Sequence, residues 1–214
     1  MKKLIWGASF VASALLTLAA AKHIVPLGLT EVLGFITGGY CVWLAVVENI
    51  WNWPIGIINA GFFLALFGSS HLYADAGLQV VYVILGFVGW YFWLRGGKDR
   101  TQLVVSHISL KESLILLALG VSATYGFKIF LGRIGDVAPF WDGLTTISSL
   151  VAQYMLTKKY LENWYVWIVT DVIYIALYFY KHLALTAVLY AIFLTMCVLA
   201  VRGWQHELVA AKEV

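Results

Sequence analysis

The chain has 214 residues, of which 62% are hydrophobic and 12% charged, with a formal net charge of +3 and a mean hydropathy of +0.87. Soluble domains are nearer half apolar and a quarter charged, so this composition excludes a water-soluble fold and makes lipid the solvent. The basic residues are scattered over connecting segments, which excludes a nucleic-acid footprint.

Eight apolar segments of spanning or near-spanning length follow in chain order, at about 4–21, 27–47, 53–70, 76–95, 113–131, 138–157, 163–180 and 183–202. The first has two readings. Met1-Lys2-Lys3, an apolar run and Ala19-Ala20-Ala21 resemble a signal peptide. Ser9, Ser13 and Thr17, at i, i+4 and i+8, form a small-residue face suited to a retained helix. The resulting division is an N-terminal extra helix or signal-like segment (1–22), three helices (27–95), a basic loop with a linker helix (96–135), three further helices (136–204) and a tail (205–214). With the N-terminus in the cytoplasm, that side holds Lys2, Lys3, Arg95, Lys98, Arg100, Lys111, Lys158, Lys159, Arg202 and Lys212. The outer side holds Lys22, Lys128, Arg133 and Lys181. This positive-inside bias places the C-terminus in the cytoplasm and fits a multi-pass protein of the bacterial inner membrane.

Polar side chains at bilayer depth are costly, roughly 2.5–3.5 kcal/mol for a mid-helix Asp on insertion scales, and usually face a bundle interior or a cavity. In the third segment Asn52 and Asn59 share a face, and Pro54 lies near the helix start, where it is tolerated. In the fourth, Gln79 and Tyr82 share a face and Gly86 follows, a residue suited to close helix packing. In the sixth, Asp142, Thr146, Ser149 and Gln153 line one face over three turns; interhelical hydrogen bonds and ligand contact are both open to them. In the seventh, Trp164, Trp167, Asp171, Tyr174 and Tyr178 form one face. Asp171 has no Lys or Arg on its own helix, so it is protonated, paired elsewhere, or a counter-charge for a cationic ligand held against aromatic rings. Cys41 and Cys197 lie inside apolar runs and read as core thiols, with no metal pattern. There is no P-loop, no His-Glu-x-x-His and no Gly-x-Ser-x-Gly, so neither an ATPase nor a hydrolase is expected, and no cofactor.

Sliding the chain on itself by 114 residues puts Tyr40 on Tyr154, Glu48-Asn49 on Glu162-Asn163, Trp53 on Trp167 and Gly89-Trp90 on Gly203-Trp204. The repeated unit is three helices, and the offset spans an even number of segments, so both copies share one orientation. Transporters built from such parallel repeats bind substrate near the bilayer midplane, between the repeats.

These residues also resemble a known family. Glu48-Asn49-x-Trp51-Asn52-Trp53-Pro54-Ile55-Gly56-Ile57-Ile58-Asn59, then Leu72-Tyr73-Ala74-Asp75 with Gln79, and Gly89-Trp90-Tyr91-x-Trp93 look like the signature of the PnuC nicotinamide riboside transporters. So do Phe140-Trp141-Asp142, Gln153 and Lys158-Lys159-Tyr160-x-Glu162-Asn163-Trp164-x-x-Trp167 with Asp171. The resemblance covers about residues 28–204 and leaves the first segment outside. It implies an all-α membrane fold of two three-helix bundles joined by one helix, like a full-length sugar SWEET transporter. It also implies facilitated diffusion of a vitamin, made one-way by phosphorylation in the cytoplasm. Relatives carry thiamine or riboflavin, so nicotinamide riboside leads and these are the alternatives; a non-transporting membrane receptor is the alternative of another class. The expected substrate contacts are Trp53, Asn59, Gln79, Tyr82, Gln153, Asn163, Trp164, Trp167, Asp171 and Tyr174, with Glu48, Asp75, Asp142 and Glu162 as gate or structural residues. The expected partners are the small-molecule substrate and membrane lipid, with a homo-oligomer open to the chain and no nucleic acid.

Overall fold

In the computed structural model the described residues are 28–69, 73–182 and 184–210, together with 13, 14, 17, 18, 21, 22 and 24. Seven α-helices are found among them: α1 (Leu29–Val46), α2 (Asn52–Ser69), α3 (Tyr73–Arg95), α4 (Leu110–Arg133), α5 (Pro139–Thr157), α6 (Asn163–Tyr180) and α7 (Ala184–Ala210). A 3-10 turn at Lys98–Arg100 and an isolated bridge between Ser106 and Tyr160 are the other regular features of the described residues. The expected extra helix at 1–22 lies almost wholly outside them. The last apolar segment runs on past its predicted end at 202, because Gln205, Glu207 and Leu208 are good helix formers.

Four of the described helices are long and apolar enough to cross a membrane: Asn52–Ser69, Ala76–Arg95, Leu110–Arg133 and Thr186–Val209. In α1 the apolar stretch is the shorter Val32–Val46. In α5 and α6 the polar stripes lower the hydropathy, yet their 19 and 18 residues rise about 27–28 Å, close to the roughly 30 Å of a bilayer core. Leu114, Leu117, Leu119 and Val121 on α4 are exposed, as expected where lipid is the solvent.

The described residues fall into two compact units, one holding residues up to Leu44 with Ile50–Phe87, the other Ala45–Asn49 with everything from Val88 on. In the first, the Asn59 amide of α2 donates to the Gly34 carbonyl (2.6 Å) and the Thr37 hydroxyl (3.0 Å) of α1. A Cβ at Gly86 would lie 2.6 Å from Ile57 Cγ1, so this glycine serves close helix packing.

In the second unit α5 packs on α4 and α6, and α6 on α7. Gly143 makes the first approach possible: a Cβ there would meet the backbone of α4 at 3.3 Å. Local chemistry sets the ends. Ser109 caps α4 by accepting from Glu112 N at 3.2 Å, half of a capping box. Pro139 opens α5, and Asp136 Oδ1 accepts from Ala138 N at 2.7 Å just before it.

Helix boundaries correct the register of the repeat. Asn52 and Ser69 bound α2 as Asn163 and Tyr180 bound α6, each 111 residues on. α1 and α5 end at Val46 and Thr157, again 111 apart. The left-handed residues after them, Glu48 (φ 53°) and Lys159 (φ 56°), keep the same spacing. So do two turn hydrogen bonds, Trp53 N to Ile50 O and Trp164 N to Leu161 O, both 3.2 Å. Trp53 therefore corresponds to Trp164 and not to Trp167. The 114-residue match of Glu48-Asn49 with Glu162-Asn163 pairs residues at different points of their turns.

Candidate functional site

Of the expected contacts of α5 and α6, Asp171 and Tyr174 lie one turn apart on α6 in the second unit. This carboxylate is 3% exposed in the body of α6. The Cys197 thiol of α7 donates to its Oδ2 at 3.5 Å. Three ion pairs join described residues, and Asp171 is in none of them. On the preceding residue the Thr170 hydroxyl donates to Ser148 Oγ at 2.9 Å and to the Val166 carbonyl at 2.8 Å. Ser149 Oγ and Tyr174 OH lie 3.5 Å apart.

Tyr174 starts an aromatic group. It stacks on Tyr178 (centroids 5.6 Å, 17°) and meets Tyr190 of α7 at 4.5 Å; Tyr178 stacks on Tyr190 at 5.2 Å and 24°. Phe193 sits edge-on to Tyr190 at 5.7 Å. A buried carboxylate, a hydroxyl cluster and flat rings thus occupy neighbouring turns of α5, α6 and α7. Tyr190, Phe193 and Cys197 escaped the sequence reading, although their i, i+3, i+7 spacing marks one helix face.

A second polar group lies at the start of α6. Asn163 is fully buried, and its Nδ2 donates to the Tyr160 carbonyl at 2.6 Å. Its Oδ1 has no protein partner among the described residues, nor do the buried indole N–H groups of Trp164 and Trp204. Trp164 stands edge-on to Trp204 at 5.3 Å. Trp167 and Gln153 are half-buried. Buried polar atoms without partners are uncommon, so an acceptor and two donors here mark this end of α6 as well.

The expected gate residues fall at helix ends. Both oxygens of Asp142, in the first turn of α5, lie 2.7 Å from Lys181 Nζ just past α6. Lys159 Nζ lies 2.8 Å from Glu48 Oε2. Glu162 accepts from Ile108 N at 3.0 Å and meets His107 Nδ1 at 2.7 Å. Asp75 is in the first turn of α3, with its side chain outside the described residues. In the first unit Trp53 is buried, and Asn59, the donor to Gly34 and Thr37, spends its amide hydrogens within the fold. Gln79 and Tyr82 are half-buried on α3. Among the described residues no cluster of His, Cys, Asp and Glu could hold a metal ion.

Comparison with known proteins gives this geometry a context. The family described as nicotinamide mononucleotide transporter matches residues 28–206. The nicotinamide riboside transporter PnuC of Escherichia coli strain K12 is 29% identical over 174 residues, covering 69% of this chain and 73% of that protein. The riboflavin/roseoflavin transporter RibM of Streptomyces davaonensis is 24% identical over 181 residues, covering 82% and 84%. The crystal structure of the vitamin B3 transporter PnuC superposes with a TM-score of 0.67 at 23% identity, covering 92% of this chain and 90% of that one, a likeness of fold. The chain belongs to the nicotinamide mononucleotide transporter family: it is an all-helical, multi-pass membrane transporter and not an enzyme.

Proposed function

We propose that the protein takes up nicotinamide riboside by facilitated diffusion, with phosphorylation in the cytoplasm trapping the product. The carrying observation is Asp171, a buried carboxylate in no ion pair among the described residues, beside stacked tyrosines. A pyridinium ring is flat and cationic, so the tyrosines and Trp167 suit its face and Asp171 its charge. Gln153, and Asn163 with its unpartnered oxygen, suit the carboxamide and the ribose hydroxyls. The same carboxylate disfavours the mononucleotide of the family's description, because a phosphate dianion would face it with no Lys or Arg on the same turns. The relatives named for nicotinamide riboside support this choice; the riboflavin relative keeps a neutral ring as the second reading.

In this reading the seven helices form two parallel three-helix bundles, 27–95 and 136–204, joined by a linker helix within 96–135, in the manner of SWEET transporters. An N-terminal helix is added at 1–22, and the C-terminus lies in the cytoplasm. Trp53, Asn59, Gln79, Tyr82, Trp164 and Tyr174 complete the proposed contacts. The test is uptake of labelled nicotinamide riboside, nicotinamide mononucleotide, thiamine and riboflavin into proteoliposomes of purified protein. Saturable entry of the riboside alone is expected; preferred entry of riboflavin or thiamine would replace the substrate, and binding without entry would overturn the transport reading.

A further inference from the structure

We propose that Glu48 and Lys159 are the latch of a gate that closes one end of the transport path, with Trp93 and Trp204 as the plug beside it. The proposal rests on the transport reading above. Glu48 and Lys159 occupy the same place in the 111-residue register, each the left-handed residue just beyond a helix end. They also touch, Nζ to Oε2 at 2.8 Å, with side chains 20% and 11% exposed. Trp93 and Trp204 are likewise 111 apart, and their rings meet at 6.1 Å and 60°. Two copies of one position in a twofold repeat touch each other only where the repeat axis passes. In a parallel repeat that axis follows the membrane normal, the direction in which substrate crosses. One charged layer and one aromatic layer thus stand on the path itself.

The layers are joined. Lys159 Nζ sits 4.7 Å over the Trp93 ring and donates to the Leu103 carbonyl at 3.0 Å. Trp93 Nε1 donates to the Leu156 carbonyl at 3.0 Å, and Trp164 buttresses Trp204 from the side. Nothing as large as a nucleoside passes until the pair parts and the indoles separate. Removing one partner of a nearly buried pair leaves an uncompensated charge. That penalty falls on the closed state, where the pair is made, and hardly on the open state, where it is already broken, so the population shifts toward opening. With the termini cytoplasmic, this end faces the cytoplasm and the shift favours the inward-open carrier.

The experiment follows labelled nicotinamide riboside in both directions across proteoliposomes of fixed orientation. Lys159→Met and Glu48→Gln are expected to raise the half-saturation for influx about tenfold, because the outward-competent fraction falls, and to lower it for efflux. The exchanged pair E48K/K159E restores both toward the parent values. A purely structural ion pair predicts less flux in both directions with half-saturations unchanged, and that result, or an exchanged pair with the constants of the single variants, overturns the latch alone. If Lys159→Met does not fold, Glu48→Gln and the exchanged pair carry the same comparison. A parent protein without flux would sink the transport reading and the latch with it.

Discussion

Replacing Asp171 by Asn removes a charge from a site 3% exposed while keeping its shape. The Cys197 thiol at 3.5 Å is a weak donor, and none of the three ion pairs among the described residues reaches this carboxylate. A cationic ligand would therefore be its charge partner in the loaded carrier. Hydrogen bonds to charged groups are worth about 1.5–3 kcal/mol, and close desolvated charge pairs about 1.5–7 kcal/mol in double-mutant cycles. Taking about 2–3 kcal/mol, affinity for nicotinamide riboside falls roughly 30- to 150-fold at 1.4 kcal/mol per decade. The uncharged dihydronicotinamide riboside loses only the difference between two neutral hydrogen bonds, about 0.5–1 kcal/mol, or two- to fivefold. Calorimetric titration of both ligands into purified parent and variant measures the two losses. Equal losses, or none, would show that Asp171 does not meet the ligand charge and that its burial serves the helix packing.

Three further outcomes are expected. Trp167→Ala should weaken binding of the riboside about tenfold, since stacking on an aromatic contributes roughly 1–3 kcal/mol per base; unchanged affinity in a folded variant would place the ring elsewhere. Uptake into vesicles without ATP or an ion gradient should reach the external concentration and stop there; accumulation above it in vesicles lacking any kinase would refute facilitated diffusion. Tyr160 lies outside the helices, and burial, then its hydrogen bond to Glu112 Oε2, push its phenol from 10.0 up to about 12. The folded protein thus holds that proton more tightly, a contribution present in full below pH 10 and lost as pH rises toward 12. Thermal melting should show this decline in the parent and a shallower one in Tyr160→Phe.

Much of the fold was legible because lipid imposes long apolar runs and polar turns interrupt them. Segment 163–180 coincides with α6, since Lys158-Lys159 and Glu162 punctuate it on one side and Lys181-His182 on the other. The Asp171 face was legible too, because Trp164, Trp167, Asp171, Tyr174 and Tyr178 recur with helical spacing. The repeat register was legible only to within three residues. A slip of three is close to one turn of 3.6, so it brings back nearly the same helix face and pairs Trp53 with Trp167 almost as convincingly as with Trp164. Helix ends and left-handed turn residues resolve the slip, and neither is spelled out by hydropathy. The Lys159 contacts were hidden for a related reason. In sequence it is one more basic residue in a loop, whereas in the structure it has a left-handed backbone and its side chain meets Glu48, Leu103 and Trp93.

The corrected register accounts for the identity or difference of the counterparts that touch. Where the axis passes, a residue meets its own counterpart. Two indoles can meet with benefit, because offset and tilted aromatic pairs attract, and Trp93 and Trp204 are both Trp. Two like charges at 2.8 Å would repel, and here one copy has Glu48 and the other Lys159. Away from the axis the constraint is the ligand, which has no twofold symmetry. Ala60 stands where the second copy has Asp171, and Asn59 where it has Thr170. A carboxylate at Ala60, itself 3% exposed, would bury a second charge in a carrier whose proposed ligand carries only one, at the desolvation cost of an unpaired ion. Ala60→Asp should therefore hinder insertion or folding more than it helps binding, measured as the yield of folded protein in membranes. A well-folded Ala60→Asp carrier with tighter binding of nicotinamide riboside would mean that the ligand charge lies as near to α2 as to α6, and that the single-carboxylate site is misassigned.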